Sequence, residues 1–378
     1  MGGTWSVLCV DLSNGTSWVD DIDSGGTFGL GGKVLGARLL EKHLETDADP
    51  LSPENVIALT PSRLVSYGMS GCDRFGAFTR SPLTGIWLES YCGGTFARTL
   101  SETGWEAVVI RGASATPVHL HLDRDGAQIL PAGDLWGRDT FSVEGDLLSG
   151  LDRRSAVLSI GVGGENLVKV ASVMHEQAHT LGRGGLGAVF GSKKLKAVSV
   201  IGSGQVAIAH PERLHALFQD VIRAVQGIRS ARDRIARMNE QLRQEGGGEV
   251  RAVPCTQYCV TPCRAEFRNV QGRHFDQKWS SVLGCVSGVF GGGRGALYGW
   301  NLGISGTVEL NTHANRLGLN HWDILVGIVP WLRSSQAHGL ISDINGQAMD
   351  WNSPDFWVAL LDATDYRQGI GEALADGA

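Results

Sequence analysis

Three cysteines lie close together in the second half of the sequence, in the segment PCTQYCVTPC. They are Cys255, Cys259 and Cys263, and the two prolines of the segment prevent a regular helix there. Thiolates at such short spacing bind soft metals, so the segment predicts an iron–sulfur cluster or a zinc site. The segment supplies only three ligands, and either Cys285 or His274 could be the fourth.

A glycine-rich turn, GRGGLG at residues 182–187, suits a bound anion. It matches the G-x-G-x-x-G pattern of dinucleotide-binding folds. However, residues 175–179 (HEQAH) before it do not look like a buried strand, and a strand-like run at 196–201 follows too soon for a crossover helix. Backbone N–H groups with Arg183 and Lys193 nearby favour a phosphate. A plain turn with a solvated basic flank is an equal alternative.

Glycine is unusually abundant in this chain, with 53 of 378 residues, about twice the usual share. The glycines are not periodic but fall in clusters. Such clusters mark tight turns or places where the backbone approaches a ligand closely. A large flat cofactor that carries phosphate would need such places. The clusters are residues 25–26, 31–32, 93–94, 182–187, 246–248 and 291–295.

Composition and charge exclude several classes of protein. With 42% hydrophobic and 19% charged residues, the chain can bury a core and is not globally disordered. Its formal net charge of −6 argues against a nucleic-acid-binding face. No apolar run approaches the ~18 residues of a membrane span, and the first residues lack the pattern of a secretory signal. We therefore expect a cytoplasmic protein with reduced thiols and no membrane span.

The pattern of apolar residues divides the chain near residue 205. Short apolar runs bounded by Gly, Pro, Asp or Ser predict strands before that point, whereas helical spacing dominates after it. His119 and His121 alternate with apolar residues, so we expect them on one solvated face of a strand. The sequence predicts an α+β fold, with a β-rich domain at 1–205 and a mostly helical domain at 206–378. The predicted strands are 6–10, 56–59, 107–110, 118–122, 156–160 and 197–201, and the predicted helices are 34–44, 142–148, 210–244, 308–317, 322–337, 354–361 and 366–375.

Several segments, taken together and in order, resemble the tungsten-containing aldehyde:ferredoxin oxidoreductase family. Each similarity is modest, but they occur in register over nearly the whole chain. GGKVLGARLL at 31–40 resembles the family's GGRGLGARLL, and RSPLTG at 80–85 resembles its KSPLTG. The other matching segments are DPLSPENV at 49–56, GENLV at 164–168, GRGGLGAVFGSKKLKA at 182–197 and YRQGIGEALADG at 366–377.

This resemblance implies an N-terminal β-sheet domain that binds a tungstopterin or molybdopterin, beneath helical domains. It implies a [4Fe–4S] cluster that passes electrons to a ferredoxin-like acceptor, and oxidation of a small aldehyde to a carboxylate. Matched by position, Asp276 would assist proton transfer. The matched cluster ligands are Cys255, Cys259 and Cys263, and the matched pterin contacts are Arg74, Gly93, Gly94, Arg183, Gly184, Gly185 and Asn315.

The sequence also departs from the family pattern. The family spaces its cysteines C-x2-C-x3-C, but the first gap here has three residues. Asn315 and Asn320 replace two aspartates, and Asp276 replaces a longer acidic residue. The family's third domain is apparently missing, so a separate C-terminal subunit or a homo-oligomer is an expected partner. A non-catalytic binding or electron-transfer subunit is the alternative function, and a zinc-stabilised scaffold that uses Cys285 is a third.

Overall fold

The computed structural model describes residues 4–23, 31–202, 204, 208–225, 232–284 and 299–377. It confirms the predicted α+β class, because two large β-sheets form the N-terminal half and helices predominate later. Cys285 and the glycine clusters at 25–26 and 291–295 lie outside the described residues.

The first sheet has six strands in the order β2-β1-β6-β3-β4-β5. Strands β1 and β6 pair in parallel, and all other neighbours in this sheet are antiparallel. The first strand of the chain, β1, thus lies between the edge strand β2 and β6. The strands are β1 (Thr4–Asp11), β2 (Thr16–Asp23), β3 (Ile57–Pro61), β4 (Phe75–Arg80), β5 (Trp87–Cys92) and β6 (Ala107–Arg111).

The second sheet also has six strands, in the order β11-β10-β9-β12-β7-β8. Strands β7 and β12 are parallel and the other pairs are antiparallel. Because β11 and β12 are not neighbours, the glycine-rich turn between them does not belong to a parallel crossover of the dinucleotide-binding type. The strands are β7 (Val118–Leu122), β8 (Ala127–Pro131), β9 (Ser155–Ile160), β10 (Val173–His175), β11 (His179–Leu181) and β12 (Leu195–Ile201).

The main core lies between these two sheets. Apolar side chains alternate along each strand, so one face of each sheet contributes to this core, together with the short helices α2 and α5. The opposite face of the first sheet is covered by α1, and the opposite face of the second sheet is covered by α3. The helices of this half are α1 (Gly32–His43), α2 (Phe96–Ser101), α3 (Thr140–Ser149), α4 (Val162–Glu165) and α5 (Leu186–Ser192).

A small antiparallel sheet in the second half was not predicted. Its order is β13-β14-β15, and it packs its apolar face on α7 and α8. The predicted helix at 210–244 forms two helices, and residues 226–231 between them lie outside the described residues. The elements are α6 (Pro211–Val225), α7 (Arg232–Gln244), β13 (Glu249–Val253), β14 (Arg264–Gln271), β15 (Lys278–Leu283) and α8 (Gly303–Leu317).

The last part of the chain is helical and packs on α8 and on residues 168–171 of the first half. The predicted helix at 366–375 is shorter than expected, because residues 366–370 form a turn in which Gly369 has a φ of 57°. Every helix in the described ranges is too short or too polar to cross a lipid bilayer. The elements are α9 (His321–Asp323), a π-turn (Ile324–Ile328), α10 (Val329–Ala337), β16 (Asp343–Ile344), β17 (Gln347–Ala348), α11 (Pro354–Asp365) and α12 (Gly371–Ala375).

Candidate metal and cofactor site

The three predicted ligand cysteines lie in the loop between β13 and β14, which we call the thiol loop (residues 254–263). Cys255 and Cys259 are half-buried and Cys263 is exposed. Burial raises the pKa of the Cys255 thiol, the neighbouring thiols Cys259 and Cys263 raise it further, and Arg74 opposes them. Cys259 and Cys263 therefore lie close enough to Cys255 to act on it electrostatically, and so does the predicted cofactor residue Arg74.

The spacing of these sulfurs is wider than a zinc ion needs. In a tetrahedral zinc site, Zn–S bonds of about 2.3 Å place thiolates about 3.8 Å apart. Among the described residues, no three ligand atoms of the thiol loop lie within 4.8 Å of one another. Of the two candidate fourth ligands, Cys285 lies outside the described residues, and Nδ1 of His274 lies 2.5 Å from Oδ1 of Asp355 instead. Among the described residues the loop offers three thiols, the ligand type of an iron–sulfur cluster.

Contacts with the N-terminal half hold the thiol loop in place. The N–H of Gly94 donates to the carbonyl oxygen of Cys255 over 3.2 Å. The hydroxyl of Thr256 donates to Oδ2 of Asp73 over 2.6 Å, and burial raises the pKa of that carboxyl. The N–H of Val260 donates to the hydroxyl of Ser70 over 3.2 Å. The loop is thus attached to the segments before β4 and after β5.

The Gly93–Gly94 pair packs against the protein itself. A Cβ atom on Gly93 would lie 3.1 Å from the carbonyl oxygen of Cys255, and one on Gly94 would lie 2.5 Å from Cδ2 of His175. Gly94 also has a φ of 83°, which L side chains rarely adopt. These glycines are therefore required by the close approach of the thiol loop and of His175.

The turn that contains Gly184 and Gly185 binds a carboxylate of the same chain. The N–H of Gly184 donates to Oδ2 of Asp323 over 3.3 Å, and Nε of the largely exposed Arg183 lies 3.6 Å from Oδ1 of that residue. Lys193 does not join them, because its ammonium group is buried and donates to backbone carbonyls, among them Gly112 at 3.0 Å. The turn suits an anion, as its composition predicts, and its anionic partner in this structure is Asp323.

Asn315 and Asp276 lie in different elements from the thiols. Asn315 is buried near the end of α8, where its amide donates to the carbonyl oxygen of Gln177 over 3.0 Å. Asp276 is exposed in the turn after β14, within 3.3 Å of Nε2 of Gln271. Since the thiol loop precedes β14 and Asp276 follows it, the length of this strand separates them by roughly 23 Å. The structure does not bring Asp276 to the other predicted site residues.

A buried ionisable cluster beside the thiol loop was not foreseen from the sequence. Nη1 of Arg264 lies 2.6 Å from Nε2 of His179, and its Nη2 donates to the carbonyl oxygen of Ala178 over 2.7 Å. Burial, together with the charge of Arg264, lowers the pKa of His179 to about 3, so its ring is neutral and accepts this hydrogen bond. Arg264 follows Cys263 directly, so it places a buried positive charge next to the thiols.

Two carboxylates complete this cluster. Burial alone would raise the pKa of the Glu176 carboxyl, but hydrogen bonds with His175 and Thr95 hold it well below its ordinary value. Glu144 accepts from the N–H of Glu176 over 2.7 Å, and burial raises the pKa of Glu144. The signal that could have revealed the cluster is the HEQAH segment, whose two histidines end β10 and begin β11.

A cleft of about 330 Å³ opens between this cluster and the small sheet. Its volume lies at the lower end of the range of ligand sites, about 300–1,000 Å³. Neither Gly93–Gly94 nor Gly184–Gly185 lines it. In the described residues both glycine pairs pack against other parts of the chain. The lining includes Phe141, Glu176, Gln177, Glu266, Arg268 and Ser281.

Comparison with known proteins identifies the family of this chain. The sequence profile described as "Aldehyde ferredoxin oxidoreductase, N-terminal domain" matches residues 7–202. The chain therefore belongs to the aldehyde ferredoxin oxidoreductase family, and the predicted resemblance is confirmed. That family includes tungsten-containing enzymes among the relatives of this chain.

The similar proteins are enzymes or parts of enzyme complexes. The chain is 36% identical over 225 residues to the tungsten-containing aldehyde ferredoxin oxidoreductase of Thermococcus kodakarensis, covering 59% of this chain and 37% of the relative. It is 33% identical over 225 residues to that of Pyrococcus furiosus, with the same shares covered. It is 31% identical over 209 residues to the WOR-like subunit of an aliphatic sulfonate oxidoreductase of Pyrococcus furiosus, covering 50% of this chain and 33% of that subunit. The matches thus span about a third of each relative's length.

A solved structure shares the fold over nearly the whole chain. It is the active site complex BamBC of benzoyl coenzyme A reductase, in complex with 1,5-dienoyl-CoA. The TM-score is 0.82 at 23% identity, and the match covers 99% of this chain and 62% of that chain. At this level of identity the likeness establishes the fold alone.

Proposed function

We propose that this chain is part of a tungsten- or molybdenum-dependent oxidoreductase that oxidises an aldehyde to a carboxylate. Electrons would leave one at a time through a [4Fe–4S] cluster bound by Cys255, Cys259 and Cys263 to a ferredoxin-like acceptor. The observation that supports this proposal is the convergence of the three thiols in a loop attached to the family's N-terminal domain. We also propose that the protein acts in the cytoplasm.

The residues of this chain have distinct tasks in the proposal. An iron–sulfur cluster bound at the thiol loop supplies one-electron transfer. The N–H of Gly94 holds the loop through the carbonyl oxygen of Cys255. Arg264 places a buried positive charge next to the thiolates. Because a reduced cluster carries one more negative charge than an oxidised cluster, this cation favours the reduced state.

The pterin contacts matched by the family remain predictions. In the tungsten-containing relatives the metal centre supplies the oxidation of the aldehyde. Here the N–H of Gly94 is bonded to the carbonyl oxygen of Cys255 and that of Gly184 to Asp323, so these bonds must break before either N–H can reach a ligand. The role of Asp276 in proton transfer also remains a prediction. This residue lies beyond the end of β14 that is away from the thiol loop.

Metal analysis of the native chain tests the proposed function directly. The protein is purified without oxygen, and Fe, W, Mo and Zn are counted per chain. Reduction with dithionite should give the electron paramagnetic resonance signal of a reduced [4Fe–4S] cluster, and aldehyde should reduce a viologen dye. Cys259→Ser should lose the iron and the signal, whereas Cys72→Ser, which changes a half-buried thiol outside the thiol loop, should keep both. Zinc without iron in the native chain would contradict the proposal.

A non-catalytic relative is the second candidate, and the closed glycine loops favour it. Asn315 and Asn320 replace the family's aspartates, and the amide of Asn315 is engaged by Gln177. Such a chain would bind the iron–sulfur cluster as an electron-transfer subunit. Iron with the cluster signal, but with neither tungsten nor molybdenum and no aldehyde oxidation, would select this candidate over the enzyme.

We further propose that the chain works with a partner subunit, either a separate C-terminal chain or a second copy. The proposal is supported by the description of one relative as a subunit and of the structural neighbour as a complex. Native mass spectrometry of the protein purified without an affinity tag from its own cells tests it. A monomer alone would contradict it.

A further inference from the structure

Three potential metal ligands meet on the outer face of the first sheet, far from the thiol loop. Cys9 belongs to β1, Asp20 to β2 and His43 ends α1, and their ligand atoms all lie within 4.8 Å of one another. In the register of the hairpin, Cys9 is opposite Trp18, so these two side chains lie on one face of the sheet. Asp20 is two residues after Trp18 in the same strand, so it points to that face as well. Helix α1 covers that face and brings His43 to it.

The cluster is buried on one side and accessible on the other. The side chain of Cys9 is fully buried, whereas 18% of the Asp20 side chain and 10% of the His43 side chain are exposed. Nε2 of His43 lies 3.2 Å from Oδ2 of Asp20. A ring nitrogen that is mostly buried beside a thiol and a carboxylate is well placed to bind a metal ion.

We propose that Cys9, Asp20 and His43 bind one divalent transition-metal ion of the zinc class. Sulfur, imidazole nitrogen and carboxylate oxygen are the three ligand types of zinc, at about 2.0–2.3 Å. Three atoms within 4.8 Å of one another can reach a single ion at those distances with small side-chain rotations. Water occupies the fourth position on the exposed side. Binding releases the proton of the Cys9 thiol, so the two anionic ligands balance the charge of the ion.

This site is separate from the proposed cluster. The first sheet has β2 at one edge and β5 at the other, with β1 next to β2. Four strand spacings of about 4.8 Å separate β1 from β5, a distance of roughly 19 Å. The thiol loop packs on the loop that follows β5, so the two sites do not share ligands.

Lys42 is the competitor of the metal ion. Its ammonium nitrogen lies 2.7 Å from Oδ1 and 2.6 Å from Oδ2 of Asp20. The Lys42 side chain is 48% exposed and flexible, so it can turn into solvent when an ion takes its place. The two cations exclude each other at one carboxylate. Removal of the lysine should therefore strengthen binding of the ion. If the Lys42–Asp20 ion pair were only structural, removal of the lysine would break the pair without any effect on metal binding.

Cobalt(II) is a spectroscopic probe for this site. The full-length chain with Cys255, Cys259 and Cys263 changed to serine is titrated with cobalt, so that the thiol loop cannot contribute. We expect one cobalt per chain, with a near-ultraviolet thiolate-to-cobalt band. Mutation of a residue that hydrogen-bonds a metal ligand weakens metal binding about 10–100-fold. His43→Gln removes a ligand itself, so its loss of cobalt affinity should exceed that range. Cys9→Ser should abolish the band, Cys72→Ser should keep it, and Lys42→Met should tighten binding.

A second measurement uses the native chain and does not depend on the triple substitution. Zinc is counted per chain after anaerobic purification, with circular dichroism to confirm that each variant is folded. His43 lies at the end of a helix, so His43→Gln is the mildest change of a ligand. We expect native zinc or added cobalt to stabilise the parent chain thermally but not His43→Gln. Equal binding by both chains, or a thiolate band that persists in Cys9→Ser, would overturn the proposal.

Discussion

Arg264 is the residue that connects the buried ionisable cluster to the thiol loop. Its guanidinium contacts His179 and the carbonyl of Ala178, and the thiols of Cys255 and Cys263 lie close enough to act on it. A positive charge fixed in a buried position acts over several ångströms with little screening. The redox behaviour of a cluster at the thiol loop should therefore depend on this side chain more than on any exposed arginine of the same strand.

We predict that Arg264→Met makes the reduction potential of the cluster more negative, because the buried cation that favours the reduced state is removed. The matched control is Arg268→Met, which removes an exposed arginine from the same strand. Potentiometric titration followed by electron paramagnetic resonance measures both variants. An unchanged potential in Arg264→Met, with the cluster retained, would argue against this role.

His119 and His121 show how a strand face can be misjudged from its sequence. The two residues do share a face, but that face is not solvated as predicted. His119 is buried, and both rings contact the hydroxyl of Ser199, at 2.9 Å for Nε2 of His119 and 2.8 Å for Nδ1 of His121. Burial, with a smaller effect of His121, lowers the pKa of His119 to about 4.

The pKa of His119 predicts acid sensitivity. The unfolded chain binds the proton near pH 6.5 and the folded chain only near pH 4, so stability falls as pH decreases through that window. The full loss from this residue is about 3 kcal/mol. His119→Asn, which can still bond Ser199, should lose correspondingly less stability between pH 7 and pH 4. Urea unfolding across that range measures the difference, and parallel curves for parent and variant would contradict the prediction.

At the scale of elements, the contact of α4 with α5 depends on the absence of a side chain. A Cβ atom on Gly191 would lie 1.8 Å from the carbonyl oxygen of Gly164, which is backbone and cannot turn away. In α3, by contrast, a Cβ atom on Gly145 would meet nothing within 4 Å. The same substitution should therefore have opposite effects in the two helices.

We predict that Gly191→Ala destabilises the fold by about 1–3 kcal/mol or more, the usual cost of overpacking. Gly145→Ala should stabilise it by up to about 1 kcal/mol, because alanine is the better helix former. Chemical denaturation gives both free energies of unfolding. If Gly191→Ala were neutral, the close approach of α5 to Gly164 would not be a requirement of the fold.

The sequence predicted the elements whose apolar pattern is simple. The run at 118–122 forms β7 with those bounds, because apolar residues alternate and turns flank it. The small sheet was missed although Arg264, Glu266 and Arg268 alternate with apolar residues in β14, because an irregularity between Phe267 and Val270 breaks that alternation. For the site, the spacing of the cysteines is the basis of a metal site that stays a prediction, whereas Glu144, Glu176 and Arg264 come from three distant segments and meet only through the fold.

At the scale of the molecule, the segment at residues 166–172 joins the two halves of the chain. The N–H of Ser172 donates to the carbonyl oxygen of Gly318 over 2.7 Å, and the N–H of Lys169 donates to that of Ala375, also over 2.7 Å. Val168 and Val170 are buried in the helical core. The predicted domains 1–205 and 206–378 therefore share a core, although the boundary itself remains a prediction.

We predict that residues 1–205 expressed alone do not form a stable monomer. Without the helices, Val168 and Val170 would be exposed and the backbone groups of residues 169–172 would lose their partners. The whole chain should unfold in one calorimetric transition. Size-exclusion chromatography of the fragment, beside the whole chain as the control, measures the outcome, and a monodisperse folded fragment would contradict it.

The attachment of the thiol loop has a consequence for maturation. Its ligands lie between β13 and β14, but its hydrogen bonds reach Ser70, Asp73 and Gly94 in the opposite half. Iron binding and docking of the thiol loop on the N-terminal half both fix the same ten residues, 254–263. Each process must therefore stabilise the other by the same free energy. Without iron, the chain would lack the colour of the cluster and its thiol loop would be less firmly held. Proteases would then cut first at this loop.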